Sequence, residues 1–561
     1  MYQRRIWPVL SLLLITSLLV TACTSTTQNP SASAGGAADP NGELVTNMGG
    51  EPDTIDPHKA QFNTEIGQVM MVFEGLMTLD PATLKPIPAA AAKDPEISAD
   101  GLTWKVTLKD GLKFSDGTPL TAKDFAFGFT RTCDPATAGD YSYVLYVIAG
   151  CEAWNGMNVK KATPAELSAA KAKLGVKANS DKEIQFTLAE PAAYFRSILY
   201  MWVGMPARES DVTKGGDKWT EPATYIGNGP FKLTEWKHSE KMVFERNDSY
   251  RTPAKLKKWT KVMIGEGAVA FAAYRNNELD VNGISAEDLR AVDSDADLKS
   301  QLVDVGGAAT FYYGFNVAKP PFNDANLRLA FAKSFDREAY IRDVQKIGKP
   351  VATGGFIPPG IPGYDKDDTI QKYDVAEAKK LFDAASPAAK DALKGLKFTY
   401  GSSARTKTRV EWVTQQWKTN LGVDIGLDPV DRTAFTALTK KPETTPQLFS
   451  LGWIADFPDQ QNWHTTVWIS KTGISSKTTG YSNPEFDRIV RAADKEQDPK
   501  KRDDAYLQAG KILSKDAPAA WIYYDASKYL KKPWVKGVTD TAVDSVLGEF
   551  RLYEIYVTKK G

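Results

Sequence analysis

Apolar and polar positions fall along this chain in three regimes. Ile6–Val20 is almost unbroken apolar, Thr24–Gly42 is dominated by Ser, Thr, Ala, Gly, Asn and Pro, and short alternating or helical stretches begin near Glu43. In the third regime Leu44-Val45-Thr46 reads as a strand. Leu102–Leu108 alternates apolar and polar residues, as a half-buried strand does. Ser115-Asp116-Gly117-Thr118-Pro119 is dense turn chemistry. Beyond it, Thr121 is placed to cap a helix whose apolar face carries Phe125 and Phe129, with Phe127 beside it. Further strands are expected at Glu183–Leu188, Phe311–Val317, Lys397–Tyr400, Val423–Leu427 and Leu448–Trp453, and a hairpin from Phe231–Trp236 and Met242–Arg246. Helices are expected from Asp324 to Phe335, near 406–421 and 432–440, and as one long polar-faced stretch over Glu485–Leu513. Strands separated by helices predict an α/β architecture with mixed sheets.

The first two regimes are an address and a leash. Met1–Arg5 is short and basic, and the fifteen-residue apolar run, interrupted by Pro8, falls short of the ~20 residues that span a bilayer. Residues 1–22 therefore read as a signal peptide. Val20-Thr21-Ala22 directly before Cys23 resembles the bacterial lipobox, which implies a diacylglyceryl group on the Cys23 thiol. Residues 23–42 cannot bury enough surface to fold and read as a flexible tether.

At 561 residues the chain exceeds what one hydrophobic core supports, so several lobes are expected. Lys and Arg total 70 against 69 Asp and Glu; without Arg4 and Arg5 the balance becomes 68 against 69. With no basic block, binding to a nucleic-acid backbone lacks electrostatic support. Three histidines (His58, His238 and His464) lie far apart. Besides Cys23 there are two cysteines, Cys133 and Cys151, whose spacing in an exported chain suggests a disulfide. A Cys/His metal site lacks ligands, and no metalloprotease, serine-hydrolase or P-loop motif occurs. The reading is of a protein without cofactor or metal that is not an enzyme. The 14 Trp, 22 Tyr and 24 Phe are mostly core material. Some, however, sit beside polar turns: Tyr141-Ser142-Tyr143, Phe311-Tyr312-Tyr313 and Gly452-Trp453-Ile454-Ala455-Asp456-Phe457. Rings with a carboxylate at a strand end suit a cleft for an amphipathic solute.

Thr103–Arg131, TWKVTLKDGLKFSDGTPLTAKDFAFGFTR, closely resembles the signature of the family 5 extracellular solute-binding proteins of ABC importers. Glu51–Lys59, Phe73–Leu76, Asn228–Phe231, Tyr274–Asp280, Lys319–Asp324, Gly452-Trp453 and Ala455-Asp456 follow in the family's order, and within it the chain looks most like the oligopeptide-binding proteins. The resemblance implies a type II periplasmic-binding-protein-like fold: two lobes with a hinge plus an extra α/β domain. Lobe I would comprise 43–73, 201–308 and 530–561, the extra domain 74–200, and lobe II 309–529. It also implies a monomeric, lipid-anchored receptor outside the cytoplasm that captures short peptides and delivers them to ABC permease subunits.

By the same resemblance Asp456 would receive the ligand's α-ammonium, since a buried –NH₃⁺ must be paired. Gly452 and Trp453 would line the cleft, Tyr141 would reach in from the extra domain, and Phe62-Asn63 would pair with ligand backbone. Tyr312 is a further candidate on a hinge-proximal strand. The chain departs from the oligopeptide pattern at Ser450, where an Arg often precedes the Gly-Trp. Arg405, Lys407, Arg409 and Arg432 are then candidates for the ligand's carboxylate. Alternatives are the same fold holding an oligosaccharide, a metal chelate or a signalling peptide, and, less favoured, a secreted hydrolase.

Overall fold

The alternation of the third regime becomes one long mixed sheet and smaller ones. The structure, a computed structural model, describes residues 36–285, 287–346, 355–541 and 551–559, without the side chains of Ala404, Arg432 and Thr433. The signal segment, Cys23 and most of the tether lie outside the described residues.

Among the described residues the largest sheet has ten strands. Their order is Gly426–Val430, Lys397–Gly401, Leu448–Ile454, Leu302–Phe315, Ala519–Lys531, Val281–Gly283, Glu43–Asn47, Lys258–Val262, Lys241–Arg246 and Phe231–Lys237. Two long antiparallel strands at its centre, of 14 and 13 residues, join the halves. Their ladder runs from Leu302 opposite Leu530 to Gly314 opposite Ala519, and it shifts register between Gly306 and Thr310. Each end serves a different core. Leu530 packs with Phe271, Tyr274 and Val292, while Tyr313, Phe315, Ala520 and Ile522 pack with Phe331, Phe398 and Trp417. Between these ends Val305, Tyr312 and Trp521 pack on the main core, and the broken ladder in that stretch is a natural bending point.

A separate four-stranded sheet has the order Glu96–Ile97, Thr103–Thr107, Glu183–Thr187, Val176–Ala178. Trp104 and Val106 are buried while Thr103, Lys105 and Thr107 are half-buried, as the alternation requires. The helix Ala122–Cys133 starts at Thr121, whose backbone N–H and hydroxyl both donate to the Asp124 carboxylate. It lays Phe125 and Phe129 inward, and Phe129 meets Phe186 edge-on at 4.8 Å. At Gly128 a Cβ would come within 2.0 Å of the Met205 carbonyl oxygen, so only glycine permits this approach. At the helix's last turn Arg131 donates two 2.7 Å hydrogen bonds to the two oxygens of Asp56, and Trp219 Nε1 donates a third at 3.0 Å. His58 lies in the same buried cluster, where burial and then the Arg131 charge lower its pKa to about 4. It is neutral at pH 7.

Local departures have local causes. The strand expected at Val423–Leu427 runs instead over Gly426–Val430, because Val423 and Ile425 drop into the core ahead of the ladder. The stretch expected as one helix is two, Pro484–Lys495 and Pro499–Asp516. Pro499 cannot continue a helix, and Asp498 caps the second one by accepting from the Lys501 N–H. Cys133 and Cys151 are joined by a disulfide across a sequence separation of 18. That loop contains the 3₁₀ turn Asp140–Leu145. Reducing the bond, or replacing both cysteines by Ala, is expected to lower unfolding stability by about 3 kcal/mol. Denaturant titration with and without reductant checks this.

Candidate functional site

The strand Leu448–Ile454 pairs along its full length with Ala309–Phe315 on one side, but on the other side only Leu448 and Phe449 pair, with Phe398 and Thr399. From Ser450 to Ile454 that second edge carries no strand among the described residues. Five residues of unpaired backbone edge inside a sheet form a template for an added strand.

Asp456 stands just past this edge. It is 9% exposed, and among the described residues every hydrogen-bond partner of its carboxylate is neutral. Tyr143 donates its hydroxyl to Oδ2 at 2.9 Å, Asn462 Nδ2 donates to the same oxygen at 3.0 Å, and the Tyr141 hydroxyl also faces the carboxylate. The Asp456 N–H in turn donates to Asn462 Oδ1 at 2.9 Å. Among the described residues no Lys, Arg or His forms an ion pair with it. Burial therefore pushes its pKa above the ordinary 3.8, with the three neutral donors only partly offsetting that push. The two tyrosines come from the turn inside the disulfide loop, and Tyr141 is further fixed against Trp202 at 5.1 Å. A buried carboxylate held by neutral donors is arranged to gain from a cation.

Gly452 sits on the open edge because Phe311 crosses it: a Cβ there would lie 2.7 Å from the Phe311 ring. That ring stacks on Tyr523 at 4.8 Å and 15°. Together they wall a cavity of about 420 Å³ that also meets Arg409, Thr406, Ser450 and Gly452. Trp453 is half-buried, packs against the main core, and its buried Nε1 finds no partner among the described residues.

Other expected residues are placed differently. Tyr312 faces the core: it is 1% exposed, packs on Trp468 and Trp521, and hydrogen bonds Ser475 Oγ at 2.6 Å. Strand alternation gives the cavity to Phe311 and Tyr313 instead. Phe62 and Asn63 open the helix Asn63–Val72 rather than offering an extended edge. The Phe62 N–H donates to Glu65 Oε2 and its carbonyl accepts from Glu65 and Ile66, so its backbone is spent locally while its ring is exposed. Lys407 points outward and pairs with Glu411 at 3.7 Å. Arg405 and Arg409 converge on Gln345 Oε1, and the Arg432 side chain lies outside the described residues. Sequence reasoning did not single out Tyr143, Asn462 or Gln345. Tyr143 had a signal in the Tyr-Ser-Tyr turn, whereas Asn462 reaches back six residues from a helix and leaves no local pattern.

No group of three or more His, Cys, Asp or Glu among the described residues could hold a metal ion, and none of their helices is long and apolar enough to cross a membrane.

Residues 85–474 match the model of the bacterial extracellular solute-binding proteins, family 5 (middle region). The chain belongs to this family. Oligopeptide-binding protein OppA of Bacillus subtilis is 30% identical over 96% of this chain and 97% of that protein. Among solved structures, the unliganded open form of the murein tripeptide-binding protein MppA superposes with a TM-score of 0.80 at 26% identity, covering 94% of this chain and 99% of that one. Haemophilus influenzae OppA in complex with RPPGFSPFR gives 0.69 at 27%, covering 93% and 100%. This family member thus has the type II periplasmic-binding-protein-like fold of two lobes, a hinge and an extra α/β domain, and of these two structures it lies nearer the open one.

Gly452→Val forces the Phe311 ring aside and is expected to cost about 1–3 kcal/mol of stability. Combined with Phe311→Ala, the loss should be smaller than the sum of the two single losses, measured as a double-mutant cycle by denaturant unfolding.

Proposed function

We propose that this chain is the substrate-binding lipoprotein of an ABC importer, tethered through Cys23 outside the cytoplasm, capturing short peptides between its lobes and passing them to permease subunits as a monomer. The observation that carries this reading is Asp456: a buried carboxylate with only neutral donors, at the end of an unpaired strand edge. The edge from Ser450 to Ile454 suits a peptide backbone, and the carboxylate suits its α-ammonium. Similarity to proteins named for binding oligopeptides and a murein tripeptide supports the same ligand class. A ligand without an amine would leave the Asp456 charge buried and unmet, which disfavours an oligosaccharide. The family's named members are binding proteins, in keeping with a role in capture rather than turnover.

We assign lobe I to 43–73, 201–308 and 530–561, the extra domain to 74–200, and lobe II to 309–529. On that division Tyr141 and Tyr143 reach from the extra domain to a carboxylate of lobe II. A ligand gripped from both sides would favour closure about the long strand pair, because it gains contacts there that the open form lacks.

Calorimetry of the purified full chain with tetra- to hexapeptides tests the reading. Free-amine peptides should bind and their N-acetylated counterparts should not. Asp456→Asn should weaken binding by about 2–5 kcal/mol. Equal binding of acetylated and free peptides would contradict the assignment of Asp456.

A further inference from the structure

The chain enters its folded part beside a cluster of lysines. In the run that leads into the strand Lys258–Val262, Ala254, Leu256 and Trp259 are buried while Lys255 and Lys257 between them are exposed. The Lys257 N–H donates to the carbonyl of Gly42, the last residue of the tether, and the Asp39 N–H donates to the Val557 carbonyl. The short strand Tyr556–Val557 pairs with Val535–Lys536. Val535 and Val557 are buried, so Lys536 and Tyr556 share the outer face, and Lys255 Nζ lies 5.2 Å from the centre of the Tyr556 ring. Lys559 follows, exposed. Lys255, Lys257, Lys536 and Lys559 thus gather around the root of the tether, and among the described residues none of them forms an ion pair. The crowding of charge reaches a neighbour: burial and then the Lys536 charge lower the Lys531 pKa. The acids in the segments that meet here are Asp39, Glu43 and Glu554. Glu43 is taken by Lys258 at 2.6 Å and Glu554 by Arg551, so the face keeps a surplus of positive charge.

Resting on the lipid-tether reading above, we propose that this lysine face docks on the anionic phospholipid headgroups of the membrane that holds Cys23. Thr24–Ala38 is fifteen residues long. As a flexible chain it spans on average about 20 Å, and fully extended no more than about 50 Å. The root of the tether therefore enters repeatedly the layer of ~8 Å over which headgroup charge acts at physiological ionic strength. Each lysine within that layer strengthens attachment by up to about fivefold. The tether keeps the face at high local concentration, so contacts that are weak one by one suffice. Tyr556, amphipathic and set among the lysines, suits the headgroup level. On the lobe division above the face belongs to lobe I, so docking would hold that lobe still and leave lobe II to swing about the long strand pair.

Residues 38–561 form one compact unit that holds every strand and core described above, so this body is tested without Cys23 or its lipid. Cosedimentation is measured with vesicles of phosphatidylglycerol and phosphatidylcholine in equal parts, and with vesicles of phosphatidylcholine alone. The wild-type body should bind the first at least about tenfold more tightly, and ~1 M salt, which shrinks the Debye length to ~3 Å, should abolish the difference. Lys255→Gln, Lys257→Gln, Lys536→Gln and Lys559→Gln together should weaken binding to the anionic vesicles by at least about tenfold. Removing the same charge elsewhere, by Lys160→Gln, Lys161→Gln, Lys214→Gln and Lys372→Gln, should leave it nearly unchanged. Equal binding of the wild-type body to both vesicles would overturn the proposal even if no variant folds, and the tether reading would stand. So would an equal loss in the two quadruple variants, which would make net charge responsible rather than this face. The tether is read separately, from the mass of the exported full chain: an unmodified Cys23 would overturn it and this proposal together.

Discussion

A single buried carboxylate sets the terms for the proposed binding face. Asp456 is nearly closed off from water, yet the structure gives it hydroxyl and amide donors rather than a cation. Such an arrangement is costly in isolation, because neutral hydrogen bonds only partly replace the hydration of an anion. It persists because the groups around it are held in place. The tyrosine turn is closed by the Cys133–Cys151 disulfide and braced on Trp202, and Asn462 is held by the Asp456 N–H. Donors fixed in this way would leave little ordering cost for a ligand that pairs with Asp456.

The same economy runs through the fold. The strand that delivers Asp456 owes its position to the long strand at 302–315, and that strand spans three cores. The ladder of the long pair breaks between Gly306 and Thr310, in a stretch where Val305, Ala308 and Tyr312 pack on the main core. Phe311, just beyond the break, both requires a glycine at 452 and walls the cavity. Hinge, edge and cavity therefore share a few residues, and a change in one is felt in the others.

Much of this was legible in the sequence. Strand alternation at 103–107, the Thr121 cap, the paired cysteines and the Gly-Trp-x-Ala-Asp run are local patterns, and local patterns survive folding. Misplacements came where tertiary geometry chose between neighbours. In Phe311-Tyr312-Tyr313 the three rings are alike in sequence, and only the sheet decides that Tyr312 goes to the core. Phe62 and Asn63 look like an extended segment until Glu65 folds back to cap a helix. Lys407 and Arg409 lie on one helix, and its rotation sends one to Glu411 and the other to the cavity. Tyr143, Asn462 and Gln345 act through contacts that bridge from six to several hundred residues, which no spacing rule encodes.

The central claim is that Asp456 waits, with a raised pKa, for an ammonium. Pairing with a cation lowers a carboxyl pKa, so the free protein holds a proton that the complex does not, in a window that opens above the ordinary 3.8. Calorimetric titration of one tetrapeptide in buffers of different ionisation enthalpy, repeated across acidic pH, measures that proton directly. The account predicts proton release on binding within that window, affinity that rises as pH rises through it, and loss of both in Asp456→Asn. Binding without proton exchange, or exchange unchanged in the variant, would contradict it.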